Sequence, residues 1–404
     1  MVEEHAAKLL AECETSNHTE SLNLLTARGR VLAEDIVADR DFPPFSRATR
    51  DGYAVCAADV KSVPAPLEVI GEIKAGDSDE SSGRSLTLNR GQAVAIMTGA
   101  ALPSGADAVV MVEYTKASGN KVEIQRSVKN GENFVPRGAE ARKGQILVER
   151  GRRLDHAMIA IAAAVGKGHV EVFRRLRVGV LATGDEVVEI DAAPGAAQIR
   201  NSNTYSLAAQ IEEAGAEAVR LPIAPDKPDR LRELIEDGLK CDLLLITGGV
   251  SMGKYDLVEQ VLTELNAEFY FTGAQIQPGK PIVFGAAIFL TKQRYFFGLP
   301  GNPVSTMVTF RLFVQPIIAA LAGARAEPLV FLKARLKSQV GTKTGLTRFL
   351  PAVISGEFEN AEVELAAWQG SGDIAALARA NCYLVIPPDR ERIEAGEWVS
   401  VLRG

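Results

Sequence analysis

Between residues 177 and 325, short unbroken apolar runs alternate with stretches in which apolar positions recur every three or four residues. Val178-Gly-Val-Leu-Ala, Leu243-Leu-Leu-Ile and Tyr295-Phe-Phe are such runs. A run without polar alternation predicts a strand buried on both faces, and the spaced stretches predict the helices that cover it. The pattern predicts strands at 178–182, 218–223, 243–247 and 295–298, and a hairpin-like pair at 282–284 and 287–290. It predicts helices near 203–214, 229–240 and 257–265, and a long one at 303–321. Together these describe a central three-layer αβα domain, 177–325, with a mostly parallel sheet.

The flanks have a different texture. Residues 1–40 carry helix-like spacing through Ala6, Leu9, Leu10, Leu24, Leu25 and Val31, followed by the rigid Phe42-Pro-Pro-Phe. Short strand patterns at 67–73, 93–97, 108–112 and 121–125, separated by glycine-bearing turns, predict a β-rich module. A helix follows at 155–165, with Asp155 as N-cap and Gly166 just past its end. We place that helix with the N-terminal segment, so that 1–45 and 144–176 form a small discontinuous helical linker domain and 46–143 is an inserted β-rich domain. Strand patterns at 329–336, 348–354, 363–366, 382–386 and 398–402 predict a C-terminal β-barrel over 326–404. The expected fold class is therefore multidomain α/β.

Composition narrows the functional classes. The formal net charge is −6. That balance argues against a nucleic-acid binder, so an anionic ligand needs local features to hold it. The four cysteines, Cys13, Cys56, Cys241 and Cys382, are scattered and form no CxxC pair, which fits a reducing compartment without a disulfide framework or zinc site. The acidic start lacks a signal-peptide core. Pro316 is expected to break the longest apolar helix, leaving no membrane span. The expectation is a cytoplasmic protein without membrane or nucleic-acid partners.

The candidate chemistry lies at the predicted carboxyl ends of the central strands. In Thr247-Gly-Gly-Val-Ser-Met-Gly-Lys-Tyr-Asp256, Gly248 and Gly249 permit a nest of backbone N–H groups, and Ser251 offers a hydroxyl to an oxyanion. Asp256 suits either a helix cap or a Mg²⁺ shared with phosphate. In Gly298-Leu-Pro-Gly-Asn-Pro-Val-Ser305, Asn302 and Pro303 suit N-cap and N1, Gly301 admits an anion to the backbone, and Ser305 offers a hydroxyl; a well-capped structural helix would use the same residues. Asp185, Glu186 and Asp226 bring carboxylates to the same rim, as a cation site or as solvated loop acids. Lys280, between prolines, is a fixed point charge or a plain surface turn. Asp51 reads, from chemistry alone, as a turn acid.

Several of these motifs occur together and in order: Pro43-Pro-Phe, Asp51-Gly-Tyr-Ala-Val, Ile96-Met-Thr-Gly-Ala, Thr183-Gly-Asp-Glu, Thr247-Gly-Gly-Val-Ser-Met-Gly, Pro278-Gly-Lys-Pro and Leu299-Pro-Gly-Asn-Pro-Val-Ser. With them the chain resembles the molybdopterin molybdenumtransferase family, the MoeA type, which includes the gephyrin E domain. The resemblance covers residues 41 to about 381. It implies a four-domain subunit that forms a homodimer with a cleft between subunits. It implies insertion of molybdate into adenylylated molybdopterin with release of AMP, supported by Mg²⁺ or, in some members, Zn²⁺, and transient contact with the adenylyltransferase that makes the substrate.

By the same resemblance, Asp256 and Glu186 are the metal acids, with Asp226 nearby, and Ser251 meets the pterin-side phosphate. Lys280, Ser305 and Arg348 meet molybdate and phosphate. Asp51 and Thr98 come from the other subunit. Thr183, Gly248, Gly249, Pro300, Gly301 and Asn302 line the binding loops. The chain departs from the family pattern at Arg50, where Met is usual, at Glu140, where Asp is frequent, and at Ala375 and Ala376, where serine is frequent. Two other functions fit the central domain: a molybdopterin adenylyltransferase, against which the flanking β modules count, and a non-catalytic cofactor carrier or scaffold, against which the retained acids count.

Overall fold

The computed structural model describes residues 19–77, 86–249, 257–325 and 327–403. Its central sheet runs in the order Glu217–Arg220, Arg177–Ala182, Leu243–Thr247, Lys292–Leu299, Val283–Phe289, Glu268–Phe271. The first four strands are mutually parallel, and the last two are antiparallel. The unbroken apolar runs are explained by the two cores. Along Leu243–Thr247, Leu243 and Leu245 enter one core with Leu207, Ile211, Phe310 and Val314. Leu244 and Ile246 enter the other with Leu231, Ile235, Val258 and Val261. Successive side chains on a strand point to opposite faces, so a strand covered on both faces has no polar positions.

The observed helices Asn203–Glu213, Pro228–Gly238 and Leu257–Glu264 supply these covers, within a residue or two of expectation. The fourth, Pro303–Thr309, passes through a π-helical stretch, Phe310–Val314, into Gln315–Leu321. Pro316 therefore does not break this helix, contrary to expectation. Proline lacks an N–H and crowds the carbonyl four residues back, and a wider turn just upstream relieves both. The helix is long and apolar enough to cross a membrane, but 61% of it is buried inside the fold, as befits a core helix.

Two further expectations fail. The pair 282–284 with 287–290 is one continuous strand, Val283–Phe289, whose hairpin partner is Lys292–Leu299. Gly285 reads as a turn in sequence. In the sheet it is glycine because a Cβ there would lie 2.3 Å from the Glu268 carbonyl oxygen and 2.6 Å from the Phe296 ring. The actual turn is Leu290-Thr291, where both residues take positive φ (48° and 69°) without the Asn-Gly signature that such turns favour.

Residues 19–40 are not helical either, while 1–18 lie outside the described residues. Thr19–Asn23 pairs antiparallel with His169–Phe173, and Ile36–Val37 pairs with Ile146–Val148. Ala27, Leu32 and Ile36 pack with Leu154 and Ala162 of the later segment, and this long-range packing overrides the local periodicity. The helix His156–Ala164 forms as expected. Asp155 accepts the Met158 amide at 2.8 Å, a cap worth about 1 kcal/mol.

Between these segments lies a six-stranded sheet in the order Ala108–Met111, Gly52–Val55, Gln92–Ile96, Ala65–Ile73, Lys121–Ile124, Thr115–Ser118. At the C-terminal end, Thr347–Ser355, Glu362–Leu365, Phe331–Leu336, Trp398–Arg403 and Cys382–Ile386 close on themselves, because the last of them pairs back to the first. The expected small barrel is thus a closed five-stranded one. Arg153 ties the turn at Gly29 to the end of the Asn203–Glu213 helix by donating to the carbonyls of Gly29 (2.7 Å) and Ala214 (2.9 Å).

Candidate active site

Chain connectivity creates the site. From Arg177–Ala182 the chain moves outward to Glu217–Arg220, then returns past its starting strand to Leu243–Thr247. The strand order reverses between Ala182 and Thr247, and ligands of open α/β sheets bind beyond the strand carboxyl ends at that reversal. Thr183-Gly184 and Gly248-Gly249 leave the sheet there, and Pro300-Gly301 leaves the neighbouring strand. The three ends touch. The Thr183 amide donates to the Thr247 carbonyl at 3.0 Å, and the Gly248 amide to the Leu299 carbonyl at 3.3 Å.

A Cβ on Gly248 would lie 2.4 Å from the Thr183 carbonyl oxygen, and its φ is +91°, so this position demands glycine twice over. A Cβ on Gly301 would stand 3.6 Å from the Gly248 Cα. The two glycine-rich loops, some fifty residues apart in sequence, are therefore neighbours, as expected. Gly249 and Gly301 are exposed, so their backbone is open to a ligand. Val250, Ser251 and Asp256, with the rest of 250–256, lie outside the described residues.

The acids gather on the same rim. Asp226 follows the Glu217–Arg220 strand; its amide donates to Asp185 Oδ1 at 3.1 Å and its carboxylate accepts from the Thr183 hydroxyl at 3.4 Å. The Glu186 carboxylate folds back over Gly184, where a Cβ would meet its Oε2 at 2.4 Å. Glu186 and Asp226 are both exposed. Among the described residues, no group of three or more His, Cys, Asp or Glu forms a ready cage for a metal. Mg²⁺ seldom needs one: it is usually held by one or two carboxylates together with substrate phosphates, and an all-oxygen set such as this suits it.

The Pro278-Gly-Lys turn sits against the long helix. A Cβ on Gly279 would lie 2.5 Å from Thr309 Cγ2 and 3.7 Å from the Ser305 carbonyl oxygen. Gln277 is in register with Arg348 across a parallel pairing, so the barrel delivers Arg348 beside this turn. The Arg348 guanidinium donates to the Lys343 carbonyl at 2.9 and 3.2 Å. Lys280 is exposed and has no ion-pair partner among the described residues.

Two details differ from expectation. Ser305 is only 4% exposed, packed beneath the Gly279 turn, so its hydroxyl is not open at the surface as the sequence suggested. Asn302 has N-cap backbone angles but makes no side-chain cap bond. The helix start is held instead by Thr306, whose hydroxyl donates to Pro300 and Asn302 carbonyls, and by Ser371 of the C-terminal domain, whose carbonyl accepts the Val304 amide at 3.0 Å. The loop bearing Ser371 belongs to the motif with Ala375 and Ala376. Ala376 is fully buried there, and Asp373 caps the short helix by accepting its amide at 2.9 Å.

Asp51 and Thr98 meet as an exposed pair at the ends of two inner strands of the inserted β sheet: the Asp51 carboxylate accepts the Thr98 amide at 2.7 Å and its hydroxyl at 2.8 Å. Those bonds hold the carboxyl below its usual range. Glu140 is paired with Arg47 at 2.7 Å. A concavity of about 560 Å³ lies elsewhere, lined by Tyr205, Arg220 and Pro222, and none of the expected site residues lines it.

Asn203 escaped the sequence reading. It opens the Asn203–Glu213 helix, and its Nδ2 donates to Thr247 Oγ1 at 2.9 Å and to the Gly301 carbonyl at 2.7 Å. The polar cluster Asn201-Ser-Asn-Thr204 was visible, but a capping cluster at a helix start looks the same.

A doubly covered α/β sheet with glycine loops and acids at its switch point, flanked by a β module and a small barrel, is an architecture for binding an anionic nucleotide-like ligand. Comparison with known proteins makes this specific. The family description "MoeA N-terminal region (domain I and II)" matches residues 1–166, "Probable molybdopterin binding domain" matches 179–320, and "MoeA C-terminal region (domain IV)" matches 333–403. A molybdopterin molybdenumtransferase of Nostoc is 36% identical, covering 98% of this chain and 91% of the relative. One from Haemophilus influenzae is 33% identical, covering 98% and 96%. The crystal structure of a molybdopterin biosynthesis MoeA protein from Pyrococcus horikoshii superposes with a TM-score of 0.78 at 30% identity, covering 100% of this chain and 99% of that one. The chain belongs to the molybdopterin molybdenumtransferase family, the MoeA type.

Proposed function

We propose that this protein is a molybdopterin molybdenumtransferase of molybdenum cofactor biosynthesis. It takes adenylylated molybdopterin and molybdate, inserts the metalate at the dithiolene and releases AMP. The observation that carries this reading is the meeting of Thr183, Gly248 and Gly301 at the reversal point of the central sheet. It offers two backbone anion loops side by side to one ligand with more than one anionic group.

In this reading Gly248, Gly249 and Ser251 cradle one phosphate, and Pro300, Gly301 and Asn302 with the start of the long helix hold another anionic group. Thr183 orients Asp226. Lys280 and Arg348 bring positive charge to molybdate; the exposure of Lys280, and the register that sets Arg348 beside its turn, support this. Ser305, being buried, acts through the shape of the helix start. Mg²⁺, or Zn²⁺ in its place, would be held by Glu186 and Asp256 with Asp226 nearby, and would supply neutralisation of the pyrophosphate charge. The chain's own contribution is positioning and charge stabilisation, without a covalent nucleophile.

The exposed Asp51–Thr98 pair completes the cleft of the partner in a homodimer. The subunit divides into 1–45 with 144–176, 46–143, 177–325 and 326–404. The adenylyltransferase that makes the substrate is a transient partner, and the enzyme works in the cytoplasm.

The test is direct. Purified protein incubated with adenylylated molybdopterin, Mg²⁺ and molybdate is expected to release AMP in a molybdate-dependent manner, followed by chromatography. Asp256→Ala is expected to keep the fold and lose that release. No AMP from the unaltered protein under any molybdate concentration would remove the proposal.

A further inference from the structure

Asn203 joins the two glycine-rich loops. Its Nδ2 carries two hydrogens, and each has an acceptor: Thr247 Oγ1 at 2.9 Å, at the root of Gly248-Gly249, and the Gly301 carbonyl at 2.7 Å, in the middle of the other loop. Thr247 Oγ1 donates its own hydrogen bond to the Pro300 carbonyl at 3.2 Å, and Thr306 Oγ1 donates to that same carbonyl from inside the long helix. The amide orientation is fixed by these partners, because a flipped Asn203 would set its oxygen against the Gly301 carbonyl. Oδ1 is left buried and accepts from nothing among the described residues. A buried acceptor without a donor is a cost that a bound ligand with an N–H can relieve.

We infer that Asn203 is a positioning residue that fixes the separation of the two loops, so that a single ligand with two anionic groups engages both at once. The inference rests on the reading of the site as one that holds adenylylated molybdopterin. A ligand held at two points benefits from the second only while their spacing matches its own, whereas a ligand held at one point is indifferent to that spacing.

The test uses two probes on the full-length protein, adenylylated molybdopterin and AMP alone, with affinities from calorimetry. For Asn203→Ala we expect about tenfold or greater weakening toward adenylylated molybdopterin and less than about threefold toward AMP. Thr247→Val, which removes the hydroxyl node with little change of volume, is expected to behave the same way, and Thr247→Ser to restore wild-type behaviour. The double variant is expected to be no worse than the weaker-binding single, since both changes break one unit. Equal weakening toward both probes, additive losses, or unchanged affinity in Thr247→Val would overturn the positioning role. If Asn203→Ala fails to fold, the Thr247 pair decides the matter alone. A wild-type protein that does not bind adenylylated molybdopterin would overturn the functional reading itself; wild-type binding without discrimination by the variants overturns only the role of Asn203.

Discussion

The Asp51 carboxylate takes two hydrogen bonds from one residue, the amide of Thr98 at 2.7 Å and its hydroxyl at 2.8 Å. Gly52, next in sequence, makes the arrangement possible, since a Cβ there would lie 1.9 Å from the Val110 carbonyl oxygen. The start of the strand is thereby packed close against its neighbour, and Asp51 is held beside the turn that follows Ile96. The amide bond is the larger influence, and both bonds favour the ionised acid, so its pKa lies below the ordinary 3.8. A depressed acid stabilises the fold above its unfolded pKa, and that contribution fades as pH falls through the folded value. Thr98→Val removes the hydroxyl bond and is expected to raise the Asp51 pKa toward 3.8 without unfolding the protein. Carbon-detected NMR titration of the carboxyl reads it; an unchanged midpoint would show that the hydroxyl contributes nothing.

Gly248→Ala is expected to damage the site more than the fold. Its backbone lies at φ +91°, and the added carbon would meet the Thr183 carbonyl oxygen at 2.4 Å. The loop must move to admit it. We expect a loss of about 2 kcal/mol in urea denaturation and near-complete loss of AMP release. Retained turnover at wild-type level would show that this loop is not the phosphate cradle.

At the opposite end of the sheet, Asp242 binds both terminal nitrogens of Arg174 at 2.8 Å, the Arg177 amide at 2.9 Å and Arg294 at 3.3 Å. Burial pushes its carboxyl up, but the bonds from Arg174 and Arg177 and the charges of Arg174 and Arg294 outweigh it, and the net shift is downward from 3.8. Its contribution is therefore complete above the unfolded pKa and is lost on acidification through the folded one. Asp242→Ala leaves partly buried arginines without their anion and is expected to cost about 3 kcal/mol at neutral pH. Because Asp242 sits far from the strand carboxyl ends, substrate affinity of the folded fraction should be unchanged. An effect below about 0.5 kcal/mol would mean that solvent replaces the carboxylate freely.

Removal of divalent cations with a chelator is expected to stop AMP release, and added Mg²⁺ to restore it. Glu186→Gln should raise the Mg²⁺ concentration needed for half-maximal activity by about tenfold, since one anionic ligand is lost. Full activity in the chelated protein would exclude the proposed role of Glu186 and Asp256 as metal ligands.

Local sequence determined much of this protein. The unbroken apolar runs are explained by burial on two faces, so Leu243–Thr247 was legible to the residue, and Asp155 announced the helix it caps. The glycines of these loops were legible because glycine is required wherever backbone must approach backbone or take positive φ, as at Gly248. Tertiary structure decided the rest. Only strand order could bring Thr183, Gly248 and Gly301 together, because adjacency in a sheet is not written in spacing along the chain. Only packing could make Gly285 a strand residue, bury Ser305 and turn the helix-like start at 19–40 into paired strands. Asn203 became visible last: a side chain that bridges segments 44 and 98 residues away leaves no periodic trace, and its meaning exists only once its acceptors are in place.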